Sequence, residues 1–342
     1  MIRYALLTFL FVLLAASPLE AKSYPRHGPV PLISQNPFYL LFLQPRPEPA
    51  RTLAAGELRL SLRGAYSNLF EQGASDVTGV SLDLDMELFR PAFSLAWGFL
   101  PDWEVGLELP FLHFEGGFLD QFIQDFHDVF GLPNAGREFV PNGRFSYVFR
   151  QNGTSLYEVG TVPFRPSDLV LHVKRNLLAE TRAAPAVAGT FYLKLPTGSP
   201  SHGTGSGMPD MGFQVAVEKN YKRLHGYMNL GGVIRGATDL GIEPFLNSHL
   251  WYWMAAVELT AWSHHLGVIA QVQGDGSLFD GTGINALDEG NLILTIGLAG
   301  QEGPWNWKVA FAEDVSGSGP AVDFTAFFEV GYTWDFGKPP SN

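Results

Sequence analysis

From Phe324 to Phe336 the chain alternates without a break. Phe324, Ala326, Phe328, Val330, Tyr332, Trp334 and Phe336 share one face, and Thr325, Phe327, Glu329, Gly331, Thr333 and Asp335 share the other. A period of two is that of a β-strand with one apolar and one mostly polar side. The run is about twice the roughly 5–6 residues of an ordinary globular strand and suits a tilted strand crossing a bilayer.

The same alternation recurs upstream. Leu58, Leu60 and Leu62 oppose Arg59, Ser61 and Arg63; Leu82, Leu84, Met86 and Leu88 oppose Asp83, Asp85 and Glu87. Further runs start near Trp103, Phe145, Leu169, Phe191, Phe213, Trp251, Leu266 and Trp305. A soluble sandwich also alternates, but it rarely sets so many mid-strand charges against so continuous an apolar face. Short turns are expected near Pro101-Asp102, Asn152-Gly153, 220–223, Ser263 and 302–304. Long loops are expected near 67–79, 111–143, 161–168, 197–210, 237–249, 274–290 and 314–323, with the connection near 177–185 ambiguous. Long and short connections alternate, as they do when one rim faces the periplasm and the other faces outside. The expectation is an all-β chain forming a single antiparallel transmembrane β-barrel of about 14 strands, with 12 as the alternative. Six Trp (Trp97, Trp103, Trp262, Trp305, Trp307, Trp334) fall at the short-turn ends, and Trp251 and Trp253 fall near the opposite rim. Two aromatic belts are what two membrane–water interfaces select.

The N-terminus agrees with export. Arg3 precedes an apolar run from Ala5 to Ala16, and Leu19-Glu20-Ala21 precedes Lys22, so residues 1–21 read as a signal peptide. Residues 22–56 are a Pro-rich leader without a usable period, lying in the periplasm or tucked into a lumen. The barrel is expected over 57–336, followed by a tail at 337–342. There is no cysteine, so thiolate metal sites, disulfides and lipid attachment through a terminal Cys are excluded. The net charge of −12, with no basic stripe, argues against nucleic-acid binding. The expected surroundings are outer-membrane lipid and the barrel-assembly machinery of a Gram-negative-type bacterium.

Two resemblances bear on this reading. Glu329, Gly331, Trp334 and Phe336 resemble the C-terminal signature by which outer-membrane barrels are recognised for assembly, although six residues follow Phe336 here. The stretch from Gly116-Gly117-Phe118 through Phe126-His127-Asp128 to Gly136-Arg137 resembles the bacterial family called domain of unknown function 3187. So do Trp103-Glu104-Val105-Gly106, Leu109-Pro110-Phe111 and Lys194-Leu195-Pro196-Thr197-Gly198. The latter motifs are also similar to those of barrels linked to uptake of phenol-like and other small hydrophobic compounds. The resemblance implies an outer-membrane barrel and no established activity.

Candidate sites follow from chemistry and spacing. Phe118, Phe122, Ile123, Phe126, Val129 and Phe130 recur at helical spacing, which predicts a short amphipathic helix in the longest loop, carrying His127, as a lid or plug. Arg59, Arg63, Asp83, Asp85, Glu87, Glu104, Glu108, Arg144, Arg150, Lys174 and Lys194, with His172, are expected to line the lumen as opposed acidic and basic walls. Such walls would screen solutes, or would simply pair across strands and fill the barrel. No catalytic residues, metal or cofactor are expected. Ser263-His264-His265 lacks an orienting carboxylate, His127 among its acids is a solvated loop, and Gly203-Thr204-Gly205-Ser206-Gly207 lacks the Lys of a phosphate loop. The functional expectation is a passive channel or transporter for small molecules, hydrophobic ones included. The alternatives are a closed structural or binding barrel and, behind it, a lipid-modifying enzyme.

Overall fold

A computed structural model of the chain describes residues 25–121, 123–125, 136–261, 265–315 and 322–337. The segment expected as a signal peptide (1–21), Phe122, Phe126, His127, Phe130, Trp262, Ser263, His264 and the end of the tail lie outside the described residues. Among the described residues no helix is long and apolar enough to cross a membrane.

Fifteen strands are described: β1 (Glu57–Ala74), β2 (Val80–Leu100), β3 (Trp103–Glu115), β4 (Ser146–Gln151), β5 (Thr154–Glu158), β6 (Val162–Pro166), β7 (Leu169–Leu178), β8 (Ala186–Leu195), β9 (Asp210–Tyr221), β10 (Leu224–Ile234), β11 (His249–Thr260), β12 (Leu266–Asp275), β13 (Leu292–Glu302), β14 (Trp305–Asp314) and β15 (Phe324–Asp335). Every pairing is antiparallel, β1 pairs with β15, and the additional β2–β3 ladder completes the ring. The closed barrel therefore has twelve strands, with β4, β5 and β6 outside the ring. Closure removes every unpaired edge from the lipid zone, where no water could satisfy it.

The count of 14 fails for a local reason. Asn152 and Gly153 both have positive φ (50° and 78°), the signature of a tight two-residue hairpin. That hairpin joins β4 to β5 at the long-loop end instead of turning at the short-turn rim, since β4 pairs with the start of β2. Likewise β1 runs on to Ala74, so the loop expected over 67–79 shrinks to 75–79, and β6 occupies part of the loop expected over 161–168. The 177–185 connection is a turn of the short-turn rim, because it joins β7 to β8.

Most ring strands have 10–13 residues, close to the roughly 9–11 needed to cross at a tilt. Their outward residues form an exposed apolar belt that includes Phe213, Leu230, Ile296, Leu298, Val309 and Phe328. β1 and β2 are longer, and their upper halves rise above this belt.

Candidate functional site

The lumen is occupied by the chain's own leader. It enters beside Thr260, whose hydroxyl donates to Pro25 O, and ascends past Glu258, Lys308, Gln271 and Gln273. It turns through a single 3₁₀ turn at Tyr39–Leu41 and descends past Lys194, Asn229 and Lys174. At the bottom Gly56 N–H donates to Gly98 O at 2.7 Å, and the chain continues directly into β1. Gly28, at a φ of 82°, lies where the two passes touch, with Pro49 only 3.4 Å from the position a Cβ would take.

The leader cannot pair as a strand. Its prolines lack N–H donors, and the wall's backbone groups are already spent on the barrel ladder. Side-chain amides replace the ladder. Gln271 accepts from Val30 N–H at 2.9 Å and donates to Val30 O at 3.0 Å. Asn229 does the same for Glu48, at 2.8 and 3.0 Å.

Ion pairs pin the rest. Glu108 on β3 accepts from Arg63 of β1 (2.5 Å), Arg90 of β2 (2.7 Å) and Arg46 of the leader (3.0 Å). Lys194 lies between Asp168 (2.8 Å) and Asp210 (3.0 Å) and donates to Leu41 O. Lys174 donates to Pro49 O and lies 3.4 Å from Glu48. Glu104 accepts from Leu53 N–H and lies 3.5 Å from His172. Arg26 and Arg51 share Glu218. At the loop end the leader's tip is apolar: Phe38 packs edge-on against Tyr147 and Phe279, with ring centroids 4.9 and 5.2 Å apart. Burial in this cap pushes the Tyr147 phenol well above its usual pKa. Among the described residues, the space left beside the leader includes a cavity of about 190 Å³ at the short-turn end and pockets of about 40 and about 10 Å³ elsewhere.

These contacts place the sequence candidates. Arg59, Arg63, Glu104, Glu108, Lys174 and Lys194, with His172, share the parity that points inward. Asp83, Asp85, Glu87, Arg144 and Arg150 belong on the opposite face, which corrects their placement in the lumen. The unbroken β1–β2 register puts Ser94 inside opposite Ser61 and carries odd-numbered β2 residues outward up to Asp83. Leu82, Leu84, Met86 and Leu88 are consequently the inward residues, buried against the leader's tip. Above the membrane belt the solvents exchange sides, because outside there is water and inside there is a packed cap. Alternation alone is blind to that exchange.

The outer acids are covered by residues 116–121 and 136–145. Glu87 accepts from the N–H groups of Phe118 (2.7 Å) and Leu119, and Arg144 pairs with Asp83, which holds its guanidinium above its usual pKa. Arg137 bonds Asn68 at 2.6 Å, Asp120 at 2.8 Å and also Asp323. Asp120, Gln121 and 123–125 are helical, while the rest of the expected loop helix lies outside the described residues. Phe118 stands against Tyr66 on the outer face, away from the lumen. Of the assembly signature, Glu329 and Gly331 face inward, Trp334 faces outward, and Phe336 follows the end of β15.

Sequence reasoning missed Arg46, Arg90, Asp168, Asp210, Glu218, Glu258 and Lys308. The last three sit mid-strand on a polar parity, which was the available signal. The leader residues carry no such mark.

A closed twelve-stranded antiparallel barrel with an apolar outer belt is the architecture of outer-membrane β-barrel proteins. Residues 4–336 match the family described as "Protein of unknown function (DUF3187)", and the chain belongs to that family. The COG4313 outer membrane channel from Pseudomonas putida F1 has a similar structure, with a TM-score of 0.54 at 10% identity, covering 83% of this chain and 97% of that one. The translocator domain of the autotransporter NalP from Neisseria meningitidis has a TM-score of 0.40 at 12% identity, covering 82% of this chain and 89% of that one. At 10% identity, what the chain shares with the Pseudomonas putida protein is the fold. No curated protein matches the chain in sequence.

Proposed function

We propose that this chain is an outer-membrane channel or transporter for small molecules, held closed by its own leader. One observation carries the reading: a polar lumen is filled by a segment that is not part of the wall. An eight-stranded barrel is narrow enough for its own side chains to fill. Twelve strands leave a lumen, and here two passes of the leader occupy it through side-chain amides and ion pairs. Along the two passes, polar contacts of this kind can be exchanged for water at small net cost, unlike the apolar packing that holds the leader's tip at the loop end. The Pseudomonas putida protein of similar fold, described as an outer membrane channel, supports the same class. On this reading the chain is a conduit and not an enzyme. The charged interior favours a polar solute, and the hydrophobic alternative rests on motif resemblance alone.

The absence of native cysteine makes a direct test available. Val30→Cys with Gln271→Cys would tether the ascending pass to β12. In planar bilayers the wild type is expected to conduct in discrete steps separated by long closures. The oxidised pair should be silent and should regain openings with reductant. Silence of the wild type and of both redox states of the pair would favour a permanently filled structural barrel.

A further inference from the structure

The cavity at the short-turn end has a lopsided charge. Arg26, Arg46 and Arg51 reach it from the leader, and Arg59, Arg63, Lys174 and Lys308 reach it from the wall. Glu48, Glu104 and Glu329 are the carboxylates on its lining. This excess of cations arises in a chain whose net charge is −12.

Most of these cations are already paired from behind. Arg26 and Arg51 share Glu218, Arg46 and Arg63 share Glu108, Arg63 also reaches Glu329, and Lys174 is near Glu48. Arg59 and Lys308 differ. Among the described residues, Arg59 donates to the neutral hydroxyl of Thr333 at 3.0 Å, and Lys308 donates to the neutral carbonyl of Pro29 at 2.7 Å. Arg59 offers five N–H donors and Lys308 three, so both have donors to spare. In the ladder Arg59 stands beside Thr333 and Lys308 beside Glu329, four residues farther along β15. That offset is roughly 13 Å along the strand. The cavity, at about 190 Å³, is more than ten times the roughly 10–15 Å³ that admits one water. A cleft lined by an excess of one sign focuses its field and concentrates counter-ions.

We infer that this cavity is a binding site for a small organic anion with two or more separated acidic groups, Arg59 and Lys308 each taking one. Arg46 and Arg51 place the leader at the same site, so an anion bound there competes with the carboxylates that hold the leader down. The inference deepens the channel reading by naming the solute class, but it is tested by binding alone.

Citrate is titrated calorimetrically into the full chain in neutral detergent at fixed ionic strength, with putrescine as the cationic control. One citrate per chain is expected, with no heat from putrescine. Arg59→Gln and Lys308→Met should each weaken citrate binding about tenfold or more, as the loss of a charge-assisted hydrogen bond does. Lys222→Gln removes the same charge from an exposed turn and should leave binding unchanged. Arg59 is partly exposed at the mouth, so its variant is expected to fold even if Lys308→Met does not. Absence of citrate binding, equal binding of putrescine, or an Arg59→Gln protein indistinguishable from Lys222→Gln would each overturn the site. Conductance without citrate binding would leave the channel reading standing and remove the site alone.

Discussion

Nδ1 of His27 lies 2.6 Å from Oε1 of Glu258, although 231 residues separate them. Glu258 also accepts from the N–H groups of His27 and Gly28 and from the Tyr227 hydroxyl, so one wall carboxylate fastens the foot of the leader. Replacing it strands several buried donors at once, and each costs about 1–3 kcal/mol. Glu258→Ala is therefore expected to loosen the ascending pass while the ring stays closed. Trypsin should then cut between Arg51 and Thr52 in the folded, detergent-purified protein, where the wild type resists. Equal resistance of both proteins would show that the leader is held elsewhere.

Lys194 is the corresponding fastening at the other end. It is buried between Asp168 and Asp210, and it also binds Leu41 O and Ser206 Oγ. Removing one partner from a buried ionic cluster typically costs about 3–5 kcal/mol, because the remaining charges stay behind uncompensated. Lys194→Met retains the volume but leaves two facing carboxylates. It should lower the melting temperature in detergent, and adding Asp210→Asn should recover part of the loss. A double variant as unstable as the single one would argue that Lys194 acts through packing against Phe42 instead.

How much of this was legible follows from where periodicity has meaning. Along β15 the sequence pattern and the structure agree residue by residue, because one face meets the apolar belt and the other meets a polar interior over the full length. Along β2 the same alternation is present, but the faces exchange roles above Phe89, so Asp85 lies outside and Leu84 inside. The leader was legible only as a segment without a period. Its contacts, Val30 with Gln271 and Glu48 with Asn229, join residues far apart in the chain and follow from barrel closure, which no local window contains. Lys308 and Glu258 stood on polar faces in plain view. Nothing nearby distinguished them from residues that merely solvate a lumen.

Arg137 gives the outer flap a single point of failure. Its guanidinium joins Asn68 on β1, Asp120 at the start of the 116–145 segment and Asp323 before β15, and it lies over the Phe70 ring at 5.1 Å. The bidentate geometry that a guanidinium supplies is not available to a lysine. Arg137→Lys is thus expected to behave like Arg137→Ala, releasing the segment from the outer wall. Hydrogen exchange at Phe118 and Leu119, whose N–H groups are held by Glu87, should quicken in both variants. Exchange at Val30 inside the lumen should not change. If the lysine variant keeps full protection at Phe118, the fork is not what anchors the flap.

The outward belt makes the last and most general prediction. Ile296 lies mid-strand on β13 and is 56% exposed, yet its neighbours on the same face, Leu294 and Leu298, are apolar as well. An exposed aliphatic row of this kind is stable only if hydrocarbon, not water, covers it. Arg at the midplane of such a barrel costs about 2–4 kcal/mol in lipid, and the cost falls towards the interfaces. Ile296→Arg should accordingly destabilise the protein folded into bilayers by that amount. Val77→Arg, in the exposed turn between β1 and β2, should cost almost nothing. The comparison is made by reversible unfolding of both variants from lipid vesicles. Equal stabilities would mean that the belt does not meet lipid, and every assignment of inner and outer faces would have to be reversed or abandoned.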